Sequence, residues 1–466
     1  MSHSSFVFTP MALRSLRLDE DLLERYKYKR QLTSHPYNRC MLEKEARDVA
    51  PLRSNAVRTP AVCHDVVVQN ALYTGNLEAA QRFFPRGSSA NLIIEPQGGD
   101  MRWVTRGQGL WSLTYEQELT TPLHITAGRG FIECLKLLLQ RGADVDLAPA
   151  GITALHESCQ NCQPECTRLL LLHGANTNAV SEEDGIMPLH ACTRPKSLEC
   201  AKYLLQYGAA INGQTLDEED APLHVAAKNG LVEHVELYLL YGAAVDNKNS
   251  EGLTPLNASC SQPQKVEDLE RYFKVCQLLV AAGASVNTAD QDNRTPLHMA
   301  CKNVNPDVVD LLLANGANVN DMSYGAEAPM HNILKEVCYK VDHNPERIVR
   351  ALLNHGSILV WPGALHKVLK HCCESLRTIE VLVNAYSHFK VTDAWVESVS
   401  SEVFKEHREF YESLFSLALT PRCLQHLARC TIRSFLHNRV HKVVPKLNLP
   451  TFIKSYLLLA CRGYVH

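Results

Sequence analysis

The stretch TPLHITAGRGFIECLKLLLQRGADV, residues 121–145, decides the fold. Thr121 is a helix-capping residue type, and Pro122 suits the first helical position, where no backbone N–H is needed. Leu123 and Ala127 share one face of that helix. Gly128-Arg-Gly130 breaks it. Cys134, Leu135, Leu137 and Leu138 then form the apolar stripe of a second helix. Gly142 supplies the left-handed residue that ends it. Two short helices and a turn cannot bury both faces alone, so such a unit must stack on others like it.

The chain supplies those neighbours. TPLH recurs at 295–298, with looser forms TALH at 153–156, MPLH at 187–190, APLH at 221–224, TPLN at 254–257 and APMH at 328–331. The starts are 121, 153, 187, 221, 254, 295 and 328, and the one long spacing reflects extra residues around 262–270 that read as a loop insertion. Gly142, Gly174, Gly208, Gly242 and Gly316 each stand 21 residues after their start. Gly283 and Gly356 stand 29 and 28 after theirs. A motif with a fixed internal offset repeated this often is a structural unit. It resembles the ankyrin repeat, whose period is about 33 residues. That resemblance implies a solenoid of helix pairs with β-turn fingers lining a concave binding face. Residues 69–84 and 364–386 keep the helix–turn–helix rhythm without the signature, as end repeats do. The array is therefore expected over 65–386, after an N-terminal extension at 1–64 that is partly helical or disordered.

Composition excludes several classes. The 466 residues carry 47 basic and 50 acidic side chains, a net charge of -3, with 45% hydrophobic and 21% charged residues. This is ordinary globular composition, neither collagenous nor globally disordered. Near-neutral charge argues against a nucleic-acid or membrane-surface partner. No apolar run reaches the roughly 18 residues of a membrane helix. The opening MSHSSFVFTPMALRSLRLDED lacks a signal-peptide pattern, and the 17 cysteines are scattered and odd in number. Reduced thiols in the cytoplasm, with access to the nucleus, are expected.

The chemistry-bearing residues mostly fall into the repeat register. His156, Cys159, Cys162 and Cys166 suggest a zinc or thiol site. However, His156 aligns with His124, His190, His224, His298 and His331, and Cys166 aligns with Cys134 and Cys200. The histidine is thus expected to hold a neighbouring loop by hydrogen bonding, and the cysteine to pack as a small hydrophobe. No paired-carboxylate site, nucleophile elbow or phosphate loop is present. No catalytic residue, metal or cofactor is expected. The stretch 86–118 reads as an irregular loop. Its Trp103, Trp111 and Tyr115 serve either as packing against the array or as a substrate-recognition surface.

After a connector at 387–418, the segment 419–466 carries eight Lys/Arg and no acidic residue, while the rest of the chain has 39 basic and 50 acidic. Leu424, Leu427, Ala428, Ile432, Phe435 and Leu436 recur at helical spacing. Two shorter apolar segments follow, one around Val440–Val444 and one after Pro450. Three helices this short make a small core. They either cap the array or present a stripe to a partner.

Here the sequence resembles a specific module. LQHLARCTIR at 424–433 is similar to the elongin-binding box of a SOCS box, and LNLPTFIKSYLL at 447–458 to its cullin-binding box. Ankyrin repeats followed by such a box are the layout of the ankyrin repeat and SOCS box family. The resemblance implies an all-α fold, an ankyrin solenoid followed by a small three-helix SOCS box at 419–466. It also implies a non-catalytic substrate receptor of a cullin–RING ubiquitin ligase. Leu424, Leu427, Ala428 and Ile432 would contact elongin C, itself bound to elongin B. Leu449, Pro450, Ile453, Tyr456 and Leu457 would face cullin 5 and its RING partner or form the core of the box. A protein substrate would occupy the ankyrin face. Two departures stand out. Ala428 occupies a position that is usually Cys in the elongin box, and Asn448 replaces a proline of the cullin box. The competing reading is an ankyrin adaptor whose C-terminal helices only cap the solenoid.

Overall fold

The computed structural model describes residues 61–63, 65–86, 90–94, 102–106, 110–114, 119–182, 185–417 and 420–460. Of the extension at 1–64, expected as partly helical or disordered, residues 1–60 and 64 lie outside the described residues. The chain divides into two compact units, Met1–Ala244 and Val245–His466.

The first unit is a stack of helix pairs. They are α1 (Val66–Tyr73) with α2 (Leu77–Phe83), α3 (Pro122–Arg129) with α4 (Ile132–Gln140), and α5 (Ala154–Gln160) with α6 (Pro164–Leu172), followed by α7 (Leu198–Gln206) and then α8 (Pro222–Lys228) with α9 (Val232–Leu240). The repeat that starts at 187 departs from the pattern, because turns replace its first helix. Pro195 is the cause. It holds Arg194 extended, at φ -122° and ψ 149°, so the helical turn cannot continue. The stretch read as an irregular loop also contains strands. β1 (Ala61–Cys63) pairs in parallel with β2 (Leu92–Ile94), and β3 (Arg102–Arg106) forms an antiparallel hairpin with β4 (Leu110–Thr114).

The second unit continues the pairing with α10 (Pro255–Ser261) and α11 (Leu269–Ala281), α12 (Pro296–Asn303) and α13 (Pro306–Ala314), α14 (Pro329–Glu336) and α15 (Pro345–Asn354), and α16 (Leu365–Cys372) and α17 (Leu376–Val383). The insertion near 262–270 is not all loop. A 3-10 turn at Val266–Asp268 runs into α11, which is lengthened to 13 residues. Three short helices follow: α18 (Asp393–Glu397), α19 (Ser401–Glu406) and α20 (Arg408–Ser416). The chain then forms α21 (Leu424–Leu436), α22 (Val440–Val443) and α23 (Thr451–Leu457).

Local chemistry sets each pair. The Thr121 side chain accepts from the His124 N–H at 3.3 Å, and Pro122 opens α3. Gly142, Gly174, Gly208, Gly242 and Gly316 all have positive φ, with open space where a Cβ would sit. They are therefore needed for backbone conformation and not for room. Gly356 differs. An added Cβ there would lie 2.8 Å from the Asn438 Cα, because the C-terminal helices pack against it.

Two ladders join successive repeats. The Nε2–H of His124, His156, His190 and His298 donates to the carbonyls of Ile152, Ile186, Asp220 and Glu327 at 2.8, 3.1, 2.9 and 3.0 Å. In the repeat whose signature ends in Asn, the Asn257 amide donates to the Thr288 carbonyl at 3.0 Å instead. The second ladder runs along the fingers. The Oδ1 atoms of Asn91, Asp146, Asn178 and Asn212 accept from the N–H groups of Asp144, Asn176, Ala210 and Ala244 at 2.7 to 2.8 Å. In the second unit, Asp246, Asn287 and Asn320 accept from Ser285, Asn318 and Ile358 at 2.8 to 3.0 Å. Each oxygen satisfies a finger donor in the next repeat, and backbone hydrogen bonding in these non-helical segments is thereby completed.

Candidate functional site

Helix α21 is amphipathic in an unusual sense. One stripe is apolar: Leu424, Leu427, Ala428, Ile432 and Phe435, spaced for one face. All of it is exposed, with Leu424 at 85% and Phe435 at 76%. The opposite stripe is polar: Arg422, His426, Arg429 and Arg433. His426 and Arg429 in it are buried, at 0% and 4%.

The buried polar stripe has a defined task. The repeat at 364–386 lacks the Gly-Ala terminator, and side-chain donors from the C-terminal module reach the carbonyls at the end of α17. Arg422 Nη2 donates to the Val383 carbonyl at 3.2 Å, Arg429 Nη2 to that of Asn384 at 3.1 Å, and His426 Nε2 to that of Tyr386 at 2.8 Å. Arg433 does the same at the end of α15, donating to Asn354 Oδ1 at 2.6 Å and to the Leu353 carbonyl at 3.1 Å. Cations at helix C-termini are also favoured by the helix dipole. Burial, and secondarily the neighbouring Arg429, pushes the Arg433 guanidinium down to about 10, which still leaves it charged at neutral pH. Much of the C-terminal positive charge is therefore consumed inside the second unit. His355 and His441 stack with ring centroids 3.6 Å apart across the same contact.

The remainder of the module closes on itself. Leu436, Val440, Val444 and Leu457 form its core, with Val443, Leu449 and Leu458 packed against it. Arg429 lies 4.2 Å over the Tyr456 ring. Among the residues read as cullin-facing, Pro450 and Ile453 are exposed and Leu449 is half-buried. Tyr456 and Leu457 are buried at 8% and 3% and shape the module from within. Phe452, at 66%, adds an exposed aromatic beside Ile453. Leu436 was grouped with the outward stripe by spacing, yet it is buried, because the chain turns at His437 and the core folds beneath it.

The other sequence candidates resolve differently. Both ring nitrogens of His156 are engaged, Nδ1 by Thr153 and Nε2 by the Ile186 carbonyl, which leaves none for a metal. Cys159 and Cys166 are buried, and burial pushes their thiols up, to about 12 for Cys166. Trp103 and Trp111 lie on the β3–β4 hairpin, where the backbone register sets Trp103 opposite Leu113 and Trp111 opposite Thr105. Their side chains, and Tyr115 altogether, lie outside the described residues. Among the described residues no helix is long and apolar enough to cross a membrane.

The sequence reading missed the buried polar stripe. Its signal was present in the spacing of residues 422, 426, 429 and 433, which repeats at helical intervals opposite the apolar set. Burial of such a stripe is hard to anticipate because a buried arginine is uncommon.

Comparison with known proteins fits this geometry. An ankyrin-repeat family model matches residues 69–181, 168–249 and 223–323, and a SOCS box model matches 420–458. Human ankyrin repeat and SOCS box protein 16 is 38% identical over 100% of both chains. Human ankyrin repeat and SOCS box protein 10 is 46% identical over 79% of each chain. Human ankyrin repeat and SOCS box protein 18 is 43% identical over 81% of this chain and 82% of its own.

Proposed function

The chain belongs to the ankyrin repeat and SOCS box family, and from that premise we propose that it is the non-catalytic substrate receptor of an elongin B/C–cullin 5 RING ubiquitin ligase acting in the cytoplasm. The observation that carries this reading is the outward apolar stripe of α21. A 13-residue helix that turns its arginines inward and leaves Leu424 85% exposed has not spent its hydrophobic surface on folding. Leu424 is the knob for elongin C, and Leu427, Ala428 and Ile432 extend the contact. Leu449, Pro450 and Ile453 face the cullin, held in place by the buried Tyr456 and Leu457.

In this role the chain supplies proximity. It raises the effective concentration of a bound substrate near the ubiquitin-loaded enzyme and contributes no reacting group. The inward stripe does cap the last repeats, as the adaptor reading requires. Capping accounts for Arg422, His426, Arg429 and Arg433 but not for the exposed Leu424 and Phe435.

Co-expression with elongin B and elongin C, followed by size-exclusion chromatography, tests the proposal. Wild type is expected to form a stable ternary complex. Leu424→Asp should lose it, and Ala428→Cys should tighten it by about 1 kcal/mol, the worth of one small buried group. A soluble chain that ignores the elongins in all three forms would leave only the capping adaptor.

A further inference from the structure

A pocket of about 390 Å3 opens between α16 and α18 in the second unit, lined by His366, Lys367, Lys370, His371, Glu397 and Ser398. Helix α16 is the first helix of its pair and packs on α14 in the row formed by such helices. Helix α18 packs against α16 in turn. The pocket therefore sits in that row, close in sequence to the C-terminal module.

Helix electrostatics explain only two of these four basic residues. Lys370 and His371 are in the last turn of α16, where a cation complements the helix dipole. His366 and Lys367 are in the first turn, where the dipole disfavours a cation, and that turn holds no acidic residue. Three lysines on the second helices of other pairs are neutralised by a carboxylate one turn away: Lys136–Glu133, Lys202–Glu199 and Lys274–Glu270. Among the described residues neither Lys367 nor Lys370 forms an ion pair, even with Glu397 across the pocket. Ser398 Oγ is already committed as a donor to the Ala394 carbonyl at 2.5 Å. The space is thus lined by two lysines and two histidines against one glutamate.

We infer that this pocket binds a phosphomonoester carried by a protein partner, so that phosphorylation of the partner creates its docking contact. A phosphate monoester offers close to two negative charges and three acceptor oxygens, which suits several point donors better than a single carboxylate does. A lone pocket matches one such group and not the run of phosphates that a nucleic acid presents. The inference rests on the substrate-receptor reading for its purpose but not for its chemistry.

Fluorescence anisotropy with the full chain tests it, using a labelled Gly-Ala-pSer-Ala-Gly peptide, its unphosphorylated form, its Glu form and a 20-nucleotide oligo(dT). The phosphopeptide should bind at least about tenfold more tightly than the serine and glutamate forms, the scale of one to two charge-assisted hydrogen bonds, and inorganic phosphate should compete. The Lys367→Ala/Lys370→Ala double variant should lose that advantage, while Lys274→Ala keeps it. All three lysines are exposed, so folding is preserved. Equal binding of the phosphorylated and unphosphorylated peptides, an unaffected double variant, or tighter binding of oligo(dT) through the same lysines would each overturn the inference. Elongin association, measured on the same preparations, separates the two readings. Its loss with phosphopeptide binding intact would remove the ligase role alone, and the converse would remove the pocket alone.

Discussion

Helices α15 and α21 touch each other through Arg433 and yet are built inside out with respect to one another. In α15, Ile348, Val349, Leu352 and Leu353 are buried, while Arg347 reaches outward to Asp307 and Asp310. In α21, Arg429 and His426 are buried and Leu424 and Phe435 point to solvent. Both have the same 3.6-residue periodicity. The difference shows that a hydrophobic stripe identifies a helical face without saying whether the chain's own core or another molecule covers it. What decides is the supply of acceptors. The carbonyls at the ends of α15 and α17 accept further donors, and the polar face of α21 is the one that supplies them.

The largest expected effect separates the two stripes by stability. Leu352→Ala should cost about 3 kcal/mol, the usual cost of truncating a fully buried leucine. Leu424→Ala should change stability by under about 0.5 kcal/mol, as exposed positions do. Urea denaturation followed by circular dichroism gives both numbers, and a destabilised Leu424→Ala would break the contrast. A smaller effect tests the polar side. Arg433→Ala strips donors from Asn354 Oδ1 and the Leu353 and Leu457 carbonyls and should cost about 2 kcal/mol. Amide exchange should rise across α21 and α23 and remain unchanged in α12 and α13.

The last effect distinguishes arginine from histidine as a way of burying polarity. Burial lowers His124 to about 4, and also depresses His156, His190 and His298. Their unfolded value is about 6.5. The stability they lend is therefore complete above that value and is lost as pH falls from it through the folded value. Thermal midpoints should drop between pH 7 and pH 4.5. His124→Asn, copying the role that Asn257 already fills, should flatten the slope. Arg433, held down only to about 10, stays charged throughout this window.

The repeat was legible because its markers are local: a capping threonine, a proline in the first turn and a glycine at a fixed distance after them. That Leu424, Leu427, Ala428 and Ile432 share one helical face followed from spacing as well, but their exposure did not. What the letters hid depended on partners distant in the chain. Arg433 contacts residues about 80 positions away, and Gly356 meets Asn438. Likewise, the turn that replaces the first helix of the repeat at 187 depends on a single proline placed a few residues early. The basic pocket combines α16 with a helix beyond the last recognisable repeat, so no single motif contained it.

The finger ladder bears on how such a chain changes length over generations. Each Asn or Asp four residues after its repeat's glycine serves the neighbour that follows, and the geometry is the same from one neighbour to the next. Removing or duplicating a whole block of 32 to 34 residues rejoins an equivalent acceptor to an equivalent donor. Replacing one Asn178 with leucine instead leaves the Ala210 N–H without its acceptor. A segment the size of a repeat can thus be gained or lost with the ladder intact, and the length of the array can evolve in whole steps.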